Sequence, residues 1–237
     1  MKVSLINYTK DAVELLLFTK STRLTLSPSL MSEIYAMPEE KKMQELDYMA
    51  NTIPSSWEFV DYVFLVEGVS RAYTHQQVRT RAASYAQQTM RVLDMGEFDY
   101  VYSDAVEEDL ATKMIVDETL SVIKSNYRAM IRVGVAPEDA RGILPTNIAT
   151  NIVCKFNLRT FVELAKSRTG GRTQGEYQKV INAMCDEVLR VHPWADKFLF
   201  KQGRDYFAEI EEFAKRKFPD LKERGELLKI VDGMRKS

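Results

Sequence analysis

Residues 68–93 read GVSRAYTHQQVRTRAASYAQQTMRVL. The window holds Arg71, Arg79, Arg81 and Arg91 together with Gln76, Gln77, Gln87 and Gln88, and it contains no Asp or Glu. Elsewhere in the chain charges mostly come in mixed signs, so an acid-free run of this length is unusual. The cations in it are all arginine. A guanidinium is a planar fork of donors that matches phosphate oxygens and stays charged when buried, whereas an ammonium is a compact point charge. The glutamine amides supply paired donors and acceptors suited to the edge of a base. The chemistry indicated is a phosphate-bearing heterocycle. Composition alone also allows a solvated basic face.

The flanks of this window set the fold class. Glu58 to Val66 reads as a strand with Tyr62, Phe64 and Val66 on one side, Val69 to Arg81 as a polar helix, and Ala82 to Val92 as a loop or strand. Toward the N-terminus, Val3 and Leu5 alternate with polar residues as in a short strand, and 9–20 and 38–51 carry helical patterns, Pro38 suiting a first turn. Toward the C-terminus a long helix is expected over 107–133, with Val116, Leu120, Ile123, Tyr127 and Met130 as its stripe and Gly134 as its stop. A short helix from Pro137 through Arg141, a strand over Thr150 to Phe156, and helices over Thr160 to Lys166 and Glu176 to Leu189 complete the pattern. A second acid-free cluster places Lys166, Arg168 and Arg172 around Gly170-Gly171, where glycines let backbone N–H groups approach an anion. It has no Gly-Lys-Ser/Thr and is not a Walker loop.

The whole chain is 237 residues with 45% apolar and 28% charged residues, enough for one α/β domain with a substantial core. A net charge of −1 gives no bulk electrostatic case for nucleic acid or membrane. No apolar run reaches the roughly 18 residues of a membrane span. The first residues are too short and mixed for a signal peptide, and the expected location is the cytoplasm of a bacterium or a phage-infected cell. The two cysteines, Cys154 and Cys185, sit in apolar surroundings and read as buried thiols. His192, before Pro193-Trp194, reads as structural, and His75 adjoins the arginine motif. Residues 1–202 are expected to form one domain, with 203–237 a charged helical extension packed on it. In that extension Glu209, Glu211 and Glu212 against Lys215, Arg216 and Lys217 suggest a solvated helix face.

The order of residues in the window resembles the signature of the flavin-dependent thymidylate synthases. Arg79-Thr80-Arg81, seven residues, then Thr89 and Arg91 is similar to that family's Arg-His-Arg, seven residues, Ser, and Arg two positions on. Downstream, Arg141-Gly142-Ile143-Leu144-Pro145 resembles its Arg-x-x-Leu-Pro, and Asn157-Leu158-Arg159 its Asn-x-Arg. Arg168 falls where the family places a nucleotide-binding arginine, and Gln174 and Glu176 resemble the polar pair beyond it. The resemblance implies an α+β (mixed α/β) fold with helices on a small mixed sheet, assembled as a homotetramer with shared active sites. It implies FAD as cofactor, methylenetetrahydrofolate as co-substrate, NADPH as reductant, a pyrimidine deoxynucleotide monophosphate as substrate, and no metal. Gln76, Arg79, Gln87, Gln88, Thr89, Arg91, Arg141 and Arg168 would bind the nucleotide, with Thr89, Arg91 and Arg168 nearest the chemistry. Arg79, Thr80, Arg81, Asn157, Arg159, Glu163 and Arg172 would contact FAD.

The chain also departs from the pattern. Thr80 replaces the central His, Thr89 the Ser, Ala86-Gln87 the usual Asn-Glu, Val92 a common Tyr, Glu163 a common Asn and Arg172 a frequent His. Neither cysteine has the Pro-Cys-His setting of the classical thymidylate synthases. The exchange at Gln87 keeps open a variant that methylates or hydroxymethylates dCMP or dUMP. A non-catalytic nucleotide- or RNA-binding module is the remaining alternative.

Overall fold

A computed structural model describes residues 1–24, 27–91, 98–169, 174–199, 210, 213–214, 217 and 221–236. The chain divides into two compact units, Met1–Leu199 and Phe200–Ser237.

The first unit is built on a four-stranded sheet in the order β1-β2-β4-β3, from β1 (Lys2–Tyr8), β2 (Asp61–Ser70), β3 (Ala83–Gln87) and β4 (Ala149–Asn157). Every pairing is antiparallel, so the mixed sheet expected from the resemblance is corrected to an antiparallel one among the described residues. Strand direction leaves no trace in apolar periodicity, which fixes only the face. Three rows cross the sheet. Leu5, Phe64, Cys154 and Tyr85 form one, Tyr8, Tyr62, Phe156 and Ala83 another, and Val3, Val66, Ile152 and Gln87 the third. The polar Gln87 thus ends an otherwise apolar row at the sheet's edge.

Helices α1 (Ala12–Ser21), α2 (Leu30–Tyr35) and α3 (Glu39–Thr52) precede β2. α4 (Arg71–Gln77) leads from β2 to β3; α5 (Asp104–Glu107), α6 (Leu110–Arg132) and α7 (Pro137–Ala140) lie between β3 and β4; α8 (Leu158–Arg168), α9 (Gly175–Val191) and α10 (Asp196–Leu199) follow. α8 packs on β4 and α9 on β1 and β2. Phe161 of α8 meets Phe64 and Phe156 at ring separations of 5.4 and 6.2 Å. Each such fully buried aromatic contributes roughly 1.5–3 kcal/mol of transfer free energy. α9 buries Tyr177, Val180, Ile181, Met184, Cys185 and Val188, the spacing its sequence gives.

Several boundaries differ from the sequence expectation. Pro54–Phe59 is a 3-10 helix, where a strand was expected from Glu58; Trp57 anchors it by donating its indole N–H to Met49 O at 3.2 Å. β2 runs on to Ser70 through a bulge between Val66 and Val69. Gly68, at φ +64°, makes that bulge, and a Cβ there would also meet the Met1 backbone nitrogen at 3.4 Å. The bulge turns Ser70 inward, where its Oγ accepts from Tyr73 N and starts α4 two residues later than expected. α2 was not anticipated, and the long helix begins at Leu110. In α6 only Leu120 and Tyr127 are buried, while Leu110, Met114, Ile115 and Val122 are exposed. Within the second unit, α11 (Leu221–Lys236) is helical, as expected of the tail. The tail charges at 209, 211, 212, 215 and 216, and Val92, Gly170, Gly171 and Arg172, lie outside the described residues.

Candidate functional site

The short α4 and the edge strand β3 hold the signature. The carboxylate of Glu176, in the first turn of α9, accepts from Ser70 N at 2.7 Å and from Ser70 Oγ at 2.5 Å, pinning the start of α4. At its other end Gln77 is fully buried, and its Oε1 accepts from Tyr73 Oη at 3.1 Å. The Tyr85 hydroxyl is shared between Gln77 O and Thr80 O, each at 2.8 Å. These bonds fix the turn over 78–81, and Arg79 and Arg81 leave it exposed, with no ion-pair partner among the described residues. Gln76 donates to Gln174, placing two residues of the resemblance side by side. Gln87 Nε2 donates to Thr74 Oγ1 at 2.8 Å, and that hydroxyl donates to Arg71 O at 3.0 Å. Because the hydroxyl proton is committed to the backbone, the Gln87 amide meets it with an N–H and keeps Oε1 as an acceptor.

Two arginine groups emerge. In the first, Arg71 Nη2 donates to the backbone oxygen of Gln88 at 2.6 Å. Gln88 is itself paired with Asn151 through both backbone (3.0 Å) and side chain (3.1 Å). One residue on, Thr89 Oγ1 accepts from Arg91 N at 3.0 Å. Arg91 Nε reaches the Glu138 carboxylate at 2.7 Å, and Arg141 Nε reaches the Glu138 backbone oxygen at 3.0 Å. Burial first, and then the nearby Arg141 charge, pull the pKa of Arg71 down. Arg71, Arg91 and Arg141 therefore share one neighbourhood.

The second group surrounds a cavity of about 260 Å³ lined by Thr80, Arg81, Glu163, Ser167 and Arg168 among others. The Arg168 guanidinium lies over the Tyr177 ring at 5.1 Å, and its Nε is sealed from solvent without a partner. No carboxylate is within ion-pair distance of it among the described residues. Burial raises the pKa of Tyr177, and the Arg168 charge works against that rise. Arg159 is placed differently. It donates to Glu58 at 2.7 Å and to Glu163 at 3.3 Å, and the two carboxylates hold its pKa up. Asn157 Oδ1 accepts from Thr160 N at 2.9 Å and caps α8. Neither Arg91 nor Arg141 lines this cavity.

Of the other candidates, both cysteines are buried, and desolvation pushes their thiols up to about 12. His192 is buried with Nδ1 3.0 Å from Tyr62 Oη, and burial lowers its pKa. His75 is exposed on α4. No cluster of metal-ligating side chains occurs among the described residues, and no described helix is long and apolar enough to cross a membrane. Sequence reasoning missed a larger cavity of about 580 Å³, lined by Ser70, Tyr102, Asp104, Asn147, Glu176 and Lys179 among others. Its walls come from short separated segments with no shared motif. It also overlooked the contacts of Arg71 and Glu138; the latter's acidic charge beside Pro137 reads as an ordinary first helical turn.

Residues 4–194 match the sequence profile of the family described as thymidylate synthase complementing protein. The chain is 40% identical over 143 residues to the flavin-dependent thymidylate synthase of Nitratidesulfovibrio vulgaris, covering 56% of this chain and 58% of that one. It is 30% identical over 211 residues to the enzyme of that name from Clostridium tetani, covering 81% and 84%. It is 30% identical over 193 residues to that from Sulfurisphaera tokodaii, covering 81% and 75%.

Proposed function

The chain belongs to the thymidylate synthase complementing protein family, that of the flavin-dependent thymidylate synthases, and from that premise we propose that it methylates C5 of dUMP to give dTMP. When bound, reduced FAD supplies a hydride equivalent to the one-carbon unit brought by methylenetetrahydrofolate, with NADPH as the source of electrons. The observation that carries the reading is the sorting of the arginines into two groups. Arg91 and Arg141 meet at Glu138, beside Thr89 and Gln88, and form the arm for the nucleotide. Thr80, Arg81 and Arg168 border one cavity, and Arg79 and Arg81 are exposed with no carboxylate partner among the described residues. Arg79, Thr80 and Arg81 would hold FAD, flanked by Asn157, Arg159, Glu163 and Arg172. Arg168 Nε, sealed with no acceptor among the described residues, supports a ligand beside this cavity.

The residues act by binding and orientation. Uracil C5 is a weak nucleophile, and donors around the ring make it a better one. Both thiols are sealed and held far from ionisation, which supports a route without cysteine addition at C6. Gln87, its amide committed to Thr74, offers Oε1 as an acceptor, the atom type a glutamate would offer. An acceptor there can take uracil N3–H or cytosine N4–H₂ alike, so the reading of dUMP as substrate rests on the family and not on Gln87.

A self-assembled tetramer completes the site in this reading. The lining of the cavity beside Arg168 includes neither Arg91 nor Arg141, which is in keeping with a nucleotide site completed by a second chain. A cavity of about 260 Å³ lies below the range that encloses drug-sized ligands, roughly 300–1,000 Å³. The exposed Leu110, Met114, Ile115 and Val122 of α6 offer apolar surface to another copy. An RNA-binding module is disfavoured, because Tyr73 is fully buried and the Tyr85 ring packs against Phe156 of the core. The test is to incubate the purified protein with FAD, NADPH and methylenetetrahydrofolate and either dUMP or dCMP, and to read products by mass spectrometry. Thymidylate from dUMP alone is expected. Failure to take up FAD, or conversion of dCMP only, would overturn the reading.

A further inference from the structure

Arg71 is the arginine of the acid-free window that the family signature leaves without a role. It is half-buried at the first position of α4, and within the described chain its only side-chain hydrogen bond runs from Nη2 to the Gln88 backbone oxygen, 2.6 Å away. Its Nε is sealed from water with no acceptor. Glu176, the carboxylate bonded to the preceding residue, is fully engaged by Ser70, and no acid pairs with Arg71 among the described residues. The neighbouring charge is another cation, Arg141. A half-buried guanidinium beside a second one, with no carboxylate between them, is unfavourable unless an anion joins the pair. Through Gln88, moreover, Arg71 is tied to the turn in which Thr89 accepts from Arg91.

We propose that Arg71 is a further phosphate-binding residue of the nucleotide site, sharing the anion with Arg141 while its bond to Gln88 holds the Thr89–Arg91 turn in place. The ligand is the 5′-phosphate of the pyrimidine nucleotide. This rests on the nucleotide site proposed above. A backbone carbonyl is the suitable tether for such a residue, since it orients the guanidinium without neutralising it. Gln88, anchored to β4 through Asn151, makes the tether rigid.

The experiment titrates flavin-loaded protein with dUMP and, separately, with deoxyuridine, in the wild type and in Arg71→Met, Arg71→Lys and Arg141→Met. For Arg71→Met, dUMP binding is expected to weaken roughly tenfold or more, the scale of a lost charged hydrogen bond, while deoxyuridine binding changes less than about twofold. Arg71→Lys keeps the charge and loses the planar fork, so an intermediate loss confined to dUMP is expected, and this variant carries the test if the methionine protein does not fold. Equal losses for dUMP and deoxyuridine would show that Arg71 only supports the fold, and no loss in either would likewise end the proposal. Arg141→Met separates the two levels. If it weakens dUMP while Arg71→Met does not, only the role of Arg71 fails; if neither matters, the nucleotide site itself is misplaced.

Discussion

The two arginine groups are tethered by different chemistry. Around Glu138, Arg91 is bound to a carboxylate, whereas Arg71 and Arg141 hang from backbone oxygens. Around the smaller cavity, Arg168 rests on the face of Tyr177 and Arg81 has no acid partner among the described residues, while Arg159 is bridged by Glu58 and Glu163. A guanidinium held by a carbonyl or an aromatic face is oriented yet keeps its charge for a ligand; one held by a carboxylate is partly neutralised before any ligand arrives. By that criterion Arg71, Arg141 and Arg168 are ready for an anion, and Arg91 must first release Glu138. Nothing in the sequence pattern distinguishes these tethers from one another.

The largest expected effect follows from a guanidinium that is oriented but not neutralised. Arg168→Ala removes a half-buried donor that has no competing carboxylate among the described residues, and nucleotide binding should weaken by roughly 1.5–3 kcal/mol with the fold intact. Calorimetric titration with dUMP and a thermal melt measure the two quantities. Unchanged affinity would remove the cavity of Thr80 and Arg81 from the nucleotide site and leave only the Glu138 neighbourhood.

If the ring of Tyr177 is what aims Arg168, its two truncations should differ. Tyr177→Phe keeps the ring and removes a buried hydroxyl that lies beside Thr80 and Arg168 without a well-aligned hydrogen bond, so nucleotide affinity should stay within about threefold of wild type, since a poorly aligned bond has little to lose. Tyr177→Leu removes the cation–π face and should weaken binding by about 0.5–2 kcal/mol, over and above any change in melting temperature. An equal loss in the phenylalanine variant would transfer the positioning role to the hydroxyl. On the other side of the comparison, Thr89→Ala deletes the acceptor of Arg91 N and should cost about 0.5–1.5 kcal/mol in nucleotide binding. Thr89→Ser should restore it; failure of serine to rescue would mean that the methyl group, not the oxygen, shapes the turn.

How far these groups could be read beforehand depends on what each one rests on. The strands β2 and β4 and the helices α8 and α9 were legible because each shows one face to the core, as Tyr62, Phe64 and Val66 or Tyr177, Val180 and Ile181 demonstrate. The end of β2 was not, because the bulge at Gly68 shifts the alternation by a residue and hands Ser70 to α4 as a cap. The 3-10 helix at Pro54–Phe59 was missed because Phe59 suits the strand expected from Glu58, and the bond from Trp57 to Met49, which decides the matter, is tertiary. In the candidate site the arginine residues were visible as an acid-free run. Their partners were not: Glu138 lies 47 residues from Arg91 along the chain, and Tyr177 reads as a plain core position of its helix. Asn157 shows the converse, since a residue singled out by resemblance also serves as an ordinary helix cap.

Glu138 gives the finest test of the comparison. Its carboxylate and Arg91 are both substantially exposed, at 46% and 68%, so the pair should contribute no more than about 1 kcal/mol to stability. Glu138→Gln should therefore leave the melting temperature nearly unchanged. Arg91 would lose its competitor, while the bond from Arg141 to the residue 138 backbone oxygen would persist. If carboxylate tethering does hold Arg91 back, dUMP should bind roughly two- to fivefold more tightly at low salt, a gain that shrinks as ionic strength rises and screens the exposed charges. A weaker-binding variant would reverse the argument. It would mean that Glu138 presents Arg91 to the phosphate instead of competing for it, and that the carboxylate-bound and carbonyl-bound arginines are equally poised.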